Sequence, residues 1–219
     1  MKYDIENYFY PVGQGLFSAG FITNEYNKKF CWIYDCGTNS PQKYLNNSID
    51  ILDKSMNGNK SIDLFFISHF DKDHISGFEK IAEKYSIKNL IIPYMTFGER
   101  ILISLNKKYF LKRERFIFLI NPIEYFLKTN KVERVILVPK SSKTIENEKI
   151  KERFDFGEDF ELNENCRDLN SVENEEYPNI SNTDKVKVLI EGKYFILNNY
   201  FEFIPYNDSE LLYSFDKKY

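Results

Sequence analysis

An apolar run, Leu64 to Ile67, stops abruptly at His69-Phe70-Asp71-Lys72-Asp73-His74. A short apolar run bounded by polar residues reads as a buried strand, so the polar hexapeptide sits at a strand end. The chain of 219 residues contains two histidines, and both are in this segment. His69, Asp71, Asp73 and His74 together offer the nitrogen and oxygen donors that suit a hard or borderline divalent cation. A purely structural reading also exists. Ser68 and Asp71 stand at i and i+3, the spacing of a capping box for a helix starting near Lys72, and Asp73 would complement the dipole of its first turn. Capping accounts for one or two carboxylates but gives no reason for histidines on both sides of them.

Around this segment the patterning alternates between strand and helix. Residues 3–10, 15–23 and 29–36 are β-rich runs separated by Gly13-Gln-Gly15 and by Asn24 to Lys28, as in an antiparallel meander. Pro41 opens a helix that runs to Gly58, with Tyr44, Ile49, Ile51 and Leu52 as its apolar face. A strand over 62–68, a helix from Ile75 to Tyr85 and a strand over 87–92 ended by Pro93 complete a β-α-β alternation, which predicts a layered α/β fold. Helices over Glu99 to Asn106 and Glu114 to Lys128, the latter interrupted by Pro122, precede a strand from Val132 to Val138. Between 155 and 184 carboxylates crowd around one basic residue, Arg167, which predicts an exposed acidic insertion. Lys185 to Leu197, turning at Glu191-Gly192, then predicts a hairpin, and Tyr200 to Tyr206 a last strand.

Three stretches, taken in order, resemble one family. The segment His69-x-Asp71-x-Asp73-His74-Ile-Ser-Gly77 is similar to the His-x-His-x-Asp-His signature of metallo-β-lactamase-fold hydrolases, with Asp71 in place of the middle histidine. That variant resembles the metallo-β-lactamase-like domain of bacterial competence-channel proteins. Tyr10-Pro-Val-Gly-Gln-Gly-Leu-Phe17 is similar to the Val-Gly-Gln-Gly turn of that subgroup, and Ile33-Tyr-Asp-Cys-Gly-Thr38 to its strand ending in Asp and Gly. The resemblance spans roughly the first 95 residues.

It implies an αββα sandwich in a single domain over 1–219, and one or two divalent metals, zinc or manganese, held by His69, Asp71, Asp73 and His74. Asp73 would double as the catalytic base that orients a metal-activated water. Asp35, Asp63 and Gln14 would stand behind the ligands. Exchanging a histidine for Asp71 hardens the donor set and moves preference toward Mn²⁺ or Mg²⁺. The implied activity is hydrolysis of phosphodiester bonds, as in a nuclease, with nucleic acid as a candidate substrate. The second half departs from the pattern. No histidine follows His74, and Leu197-Asn198-Asn199 stands where a Thr-Gly-Asp turn is expected. Asp208 and Glu210 are candidate substitutes, and a C-terminal extension or partner is another source of ligands. The resemblance therefore also allows a catalytically impaired domain kept for binding or regulation.

Composition narrows the partners. A net charge of −3 gives no bulk attraction to nucleic acid or anionic membrane. The aromatic, basic run Lys107 to Arg115 is the local exception, readable as a nucleic-acid contact or as a solvated helix face. No window has the length of a membrane span, and Cys31, Cys36 and Cys166 lack CxxC spacing, so a cytoplasmic, reduced protein is expected. An aromatic content of 17% leaves material for a protein partner or a dimer.

Overall fold

The computed structural model describes residues 2–106, 113–141, 151–154, 166–197, 201–205 and 207. Its first three strands, β1 (Tyr3–Phe9), β2 (Phe17–Asn24) and β3 (Lys29–Cys36), form the expected antiparallel meander, with Tyr3 opposite Asn24 and Phe17 opposite Cys36. The Asn24 side chain fixes the second turn by accepting the N–H groups of Tyr26 and Lys28 at 3.0 and 2.9 Å.

Parallel pairing begins at β3. Strands β4 (Ser61–Phe66), β5 (Ser86–Pro93) and β6 (Val132–Val138) add one after another, and β9 (Val186–Leu189) adds beyond β6. The two-residue β8 (Cys166–Arg167) closes that edge antiparallel, giving an eight-stranded, mostly parallel sheet. A separate three-stranded sheet is built from β7 (Lys151–Phe154), β10 (Tyr194–Leu197) and β11 (Phe201–Phe203).

Period-two alternation gives the large sheet two buried faces. Phe65, Leu90 and Val135 point to one face, where they meet Leu45, Ile49 and Leu52 of α1 (Gln42–Met56), Phe78 and Ile81 of α3 (Phe78–Lys84), and Phe126 of α6 (Pro122–Leu127). Their neighbours Leu64, Ile91 and Ile136 point to the other face, where they meet Phe195 and Leu197 of the small sheet. Each such fully buried aliphatic side chain contributes about 1.5–3 kcal/mol. The layers are thus helix, large sheet, small sheet.

Two expectations need correction. The helix from Ile75 to Tyr85 is two pieces, α2 (Lys72–Ile75) and α3. Between them Gly77 donates its N–H to the Cys36 carbonyl at 2.8 Å, and a Cβ at 77 would stand 2.4 Å from Cys36 Sγ. That close approach to β3 requires glycine and interrupts the helix. The hairpin over Lys185 to Leu197 is absent, because β9 belongs to the large sheet and β10 to the small one. The turn at Gly192, φ +81°, carries the chain from one layer to the next rather than back along its neighbour.

Of the acidic stretch expected to be exposed, 155–165 lie outside the described residues; from Cys166 onward most residues are exposed, while Cys166, Glu173 and Tyr177 are buried. Tyr177 is buried, and its hydroxyl accepts the Met95 N–H at 2.9 Å. The fully buried Arg100 of α4 (Phe97–Asn106) lies 4.1 Å from the Tyr177 ring centre and donates to the carbonyls of Met95 and Glu176.

Glu173, in α7 (Ser171–Glu176), is also buried. It takes two hydrogen bonds from Arg167 at 2.7 and 2.6 Å and completes a capping box with Asn170. Arg167 holds the Glu173 carboxyl below its ordinary pKa despite burial, which opposes the shift. The contribution is therefore intact above the unfolded value of about 4.3 and lost as pH falls through the lower folded value. Glu173→Gln is expected to cost about 1.5–3 kcal/mol at neutral pH. In urea melts the gap between variant and wild type should close below about pH 4.

Candidate metal centre

The segments that carry the resemblance converge at the carboxyl ends of β3 and β4, the side where open α/β sheets bind ligands. Backbone hydrogen bonds join them. Leu16 N–H donates to the Asp73 carbonyl at 3.0 Å, Gly37 N–H to the Leu16 carbonyl at 3.0 Å, and Asn39 N–H to the Gln14 carbonyl at 2.7 Å. The buried Thr38 hydroxyl donates to the Val12 carbonyl at 2.5 Å, and its N–H donates to Ser76 Oγ at 2.9 Å. Two glycines permit this closeness. A Cβ on Gly37 would lie 2.5 Å from His74 N, and one on Gly15 would lie 2.7 Å from the Asp73 carbonyl oxygen. Gly37→Ala must push the histidine turn away. It is expected to cost about 1–3 kcal/mol and to weaken metal binding, both readable from thermal melts with and without Mn²⁺.

Within this frame one buried carboxylate organises both imidazoles. Asp35, at φ +54° in a region that Asp and Asn tolerate better than most residues, is fully buried at the end of β3. It accepts the Ser68 N–H at 2.8 Å, the Ser68 hydroxyl at 2.6 Å and His74 Nδ1 at 2.8 Å. The His74 proton therefore sits on Nδ1. Because the Ser68 hydroxyl donates to Asp35, its oxygen is left to accept from His69 Nδ1 at 2.9 Å. Both rings thus carry hydrogen on Nδ1 and turn the Nε2 lone pair outward.

Each Nε2 faces a motif carboxylate. His69 Nε2 is 3.6 Å from Asp71 Oδ2, and His74 Nε2 is 3.9 Å from Asp73 Oδ2. The rings themselves lie 3.8 Å apart between centres. A neutral Nε2 and a carboxylate oxygen are both acceptors, so a cation placed between the members of a pair would satisfy both. Two ligands about 2.1 Å from one tetrahedral ion stand about 3.4 Å apart, close to the separations seen here. The donors meet as pairs, and among the described residues no group of three or more His, Cys, Asp or Glu converges on one point. His69 is half exposed, so the pairs are open to solvent.

The capping reading fails at its central atom. Asp71 is the residue before α2, but its carboxylate makes no capping hydrogen bond. Ser68, expected as the other half of a box, is committed to Asp35 and the histidines. Its bridging role is legible only as a hydroxyl placed directly before the first histidine.

Of the residues expected behind the ligands, Asp35 contacts His74 and Ser68. Asp63 accepts the Cys31 N–H at 2.9 Å and pairs with Lys88 at 2.8 Å. Gln14 is exposed and helps through its backbone alone among the described hydrogen bonds, N–H to Ser40 Oγ and carbonyl to Asn39 and Thr38. Asn198, Asn199, Asp208, Glu210 and residues 107–112 of the basic run lie outside the described residues.

No protein-family model matches the chain, and no curated protein matches it by sequence.

Proposed function

We propose that this chain is a metal-dependent hydrolase of phosphodiester bonds, of the metallo-β-lactamase kind. The observation that carries the reading is the paired histidines, both oriented by Asp35 and Ser68 so that Nε2 faces a carboxylate. Metal-ligating histidines ordinarily donate their other ring nitrogen to a carboxylate or similar group. The helix, large-sheet, small-sheet layering is compatible with an αββα sandwich whose second half is reduced.

His69, Asp71, Asp73 and His74 would hold the cation, with two carboxylates favouring Mn²⁺ over Zn²⁺. A bound divalent cation supplies Lewis-acid activation of water and withdraws charge from a phosphoryl oxygen. Asp73, partly open to solvent beside His74, takes the proton from the attacking water. Asp35 keeps His74 in the tautomer that can bind, and Ser68 passes the same constraint to His69. A cytoplasmic setting is supported by Cys31, Cys36 and Cys166, all buried and joined by no disulfide. No described helix is long and apolar enough to cross a membrane.

A second reading is favoured by one sequence fact. No histidine follows His74, so a domain that keeps the cation for binding or regulation, without turnover, has the same first half. Mn²⁺-dependent hydrolysis of bis(p-nitrophenyl) phosphate separates them. Turnover that requires metal supports the hydrolase, and bound metal without turnover supports the second reading.

A further inference from the structure

A cleft of about 520 Å³ opens between the two sheets beside the histidines, and Ser68 forms part of its wall. Its volume falls within the roughly 300–1,000 Å³ of small-molecule sites. Trp32 and Tyr34, two apart on β3, share the face that lines it, and Tyr34 stands in register with Phe66 of β4. Phe203 of the small sheet closes the far side, its ring 6.2 Å from Phe66 and within 17° of parallel. Trp32 meets the same Phe203 ring edge-on at 5.5 Å. Among the described residues that line the cleft there is no lysine or arginine, and the one charged group is Glu202.

This lining decides between ligands. A carboxylate with no basic residue disfavours an anionic phosphate inside the cleft, while several aromatic rings favour a flat π-system over a flexible aliphatic chain. Ser68 places the cleft next to the histidine segment through its contact with His69 Nδ1.

We infer that the cleft is a nucleobase subsite, taking the base of a nucleotide whose phosphodiester is presented to the metal centre. The phosphate part rests on the proposed hydrolase; base binding does not. Trp32 is the chain's single tryptophan, so its fluorescence reports occupancy without any turnover.

The test titrates the full chain, stripped of metal with chelator, with adenosine, ribose 5-phosphate and cyclohexanol. Adenosine is expected to change Trp32 emission saturably, and the other two are not. Tyr34→Leu keeps apolar bulk but removes the ring, and is expected to weaken adenosine about ten-fold. No saturable response to adenosine, an equal response to cyclohexanol, or unchanged affinity in Tyr34→Leu would overturn the subsite. Adenosine binding by a chain that takes up no metal would leave the subsite standing and remove the hydrolase.

Discussion

Asp73→Ala is expected to lower Mn²⁺-dependent cleavage of bis(p-nitrophenyl) phosphate by about a hundred- to ten-thousand-fold, the range for loss of a positioned acid–base group. The fold should survive. The Asp73 side chain is partly exposed, and the contact seen for its carboxylate is His74 at 3.9 Å. What ties residue 73 to the glycine turns is its backbone carbonyl, which alanine retains. An unchanged thermal midpoint with lost activity is therefore the expected pair of results. Undiminished turnover in the variant would remove Asp73 from the chemistry.

Asp35→Asn should have the second large effect, through a proton. Asparagine tolerates the φ of +54° at this position and can still accept the Ser68 N–H through its oxygen. Its amide, however, now donates where the carboxylate accepted. His74 Nδ1 must then become the acceptor, which moves its proton to Nε2 and removes the lone pair that faces Asp73. Metal affinity is expected to fall about 10–100-fold. The altered hydrogen bonding should cost about 1–3 kcal/mol of stability. Calorimetric titration with Mn²⁺ and a urea melt measure the two separately. A stability loss without an affinity loss would make Asp35 a structural carboxylate only.

Much of the first half was legible because its cues are local. The turns at Gly13-Gln-Gly15 and Asn24 to Lys28 mark the meander, and the helix from Pro41 to Gly58 matches α1 in extent. Tyr44 and Ile51 of its expected apolar face are exposed, however, and Leu45 and Met56 are buried instead. The hexapeptide stood out through residue types alone, since apolar periodicity gives no reason for two histidines at a strand end. The reason for Gly15 and Gly37 was not legible, because it lies in backbone contacts with Asp73 and His74 far along the chain. Ser68 was open to two readings for a related reason. A capping box and a hydrogen-bond bridge to Asp35 look alike within six residues.

The second half was harder because pairing there is long-range. Nothing between Lys185 and Leu197 distinguishes a hairpin from a strand, a turn and a strand in the next layer. The difference is made by β6 beside β9 and by β7 beside β10. The acidic composition of 166–184 likewise hid its anchors, for Glu173 is neutralised by Arg167 and Tyr177 is buried against Arg100.

Elemental analysis of the full chain, purified without chelator beside His69→Ala, tests the metal centre most directly. The His69 side chain is 48% exposed, so its removal should leave the fold intact. About one or two equivalents of a divalent transition metal in the wild type, lost in the variant, is the expected result. A metal-free wild type whose melting temperature does not respond to added Mn²⁺ or Zn²⁺ would contradict it.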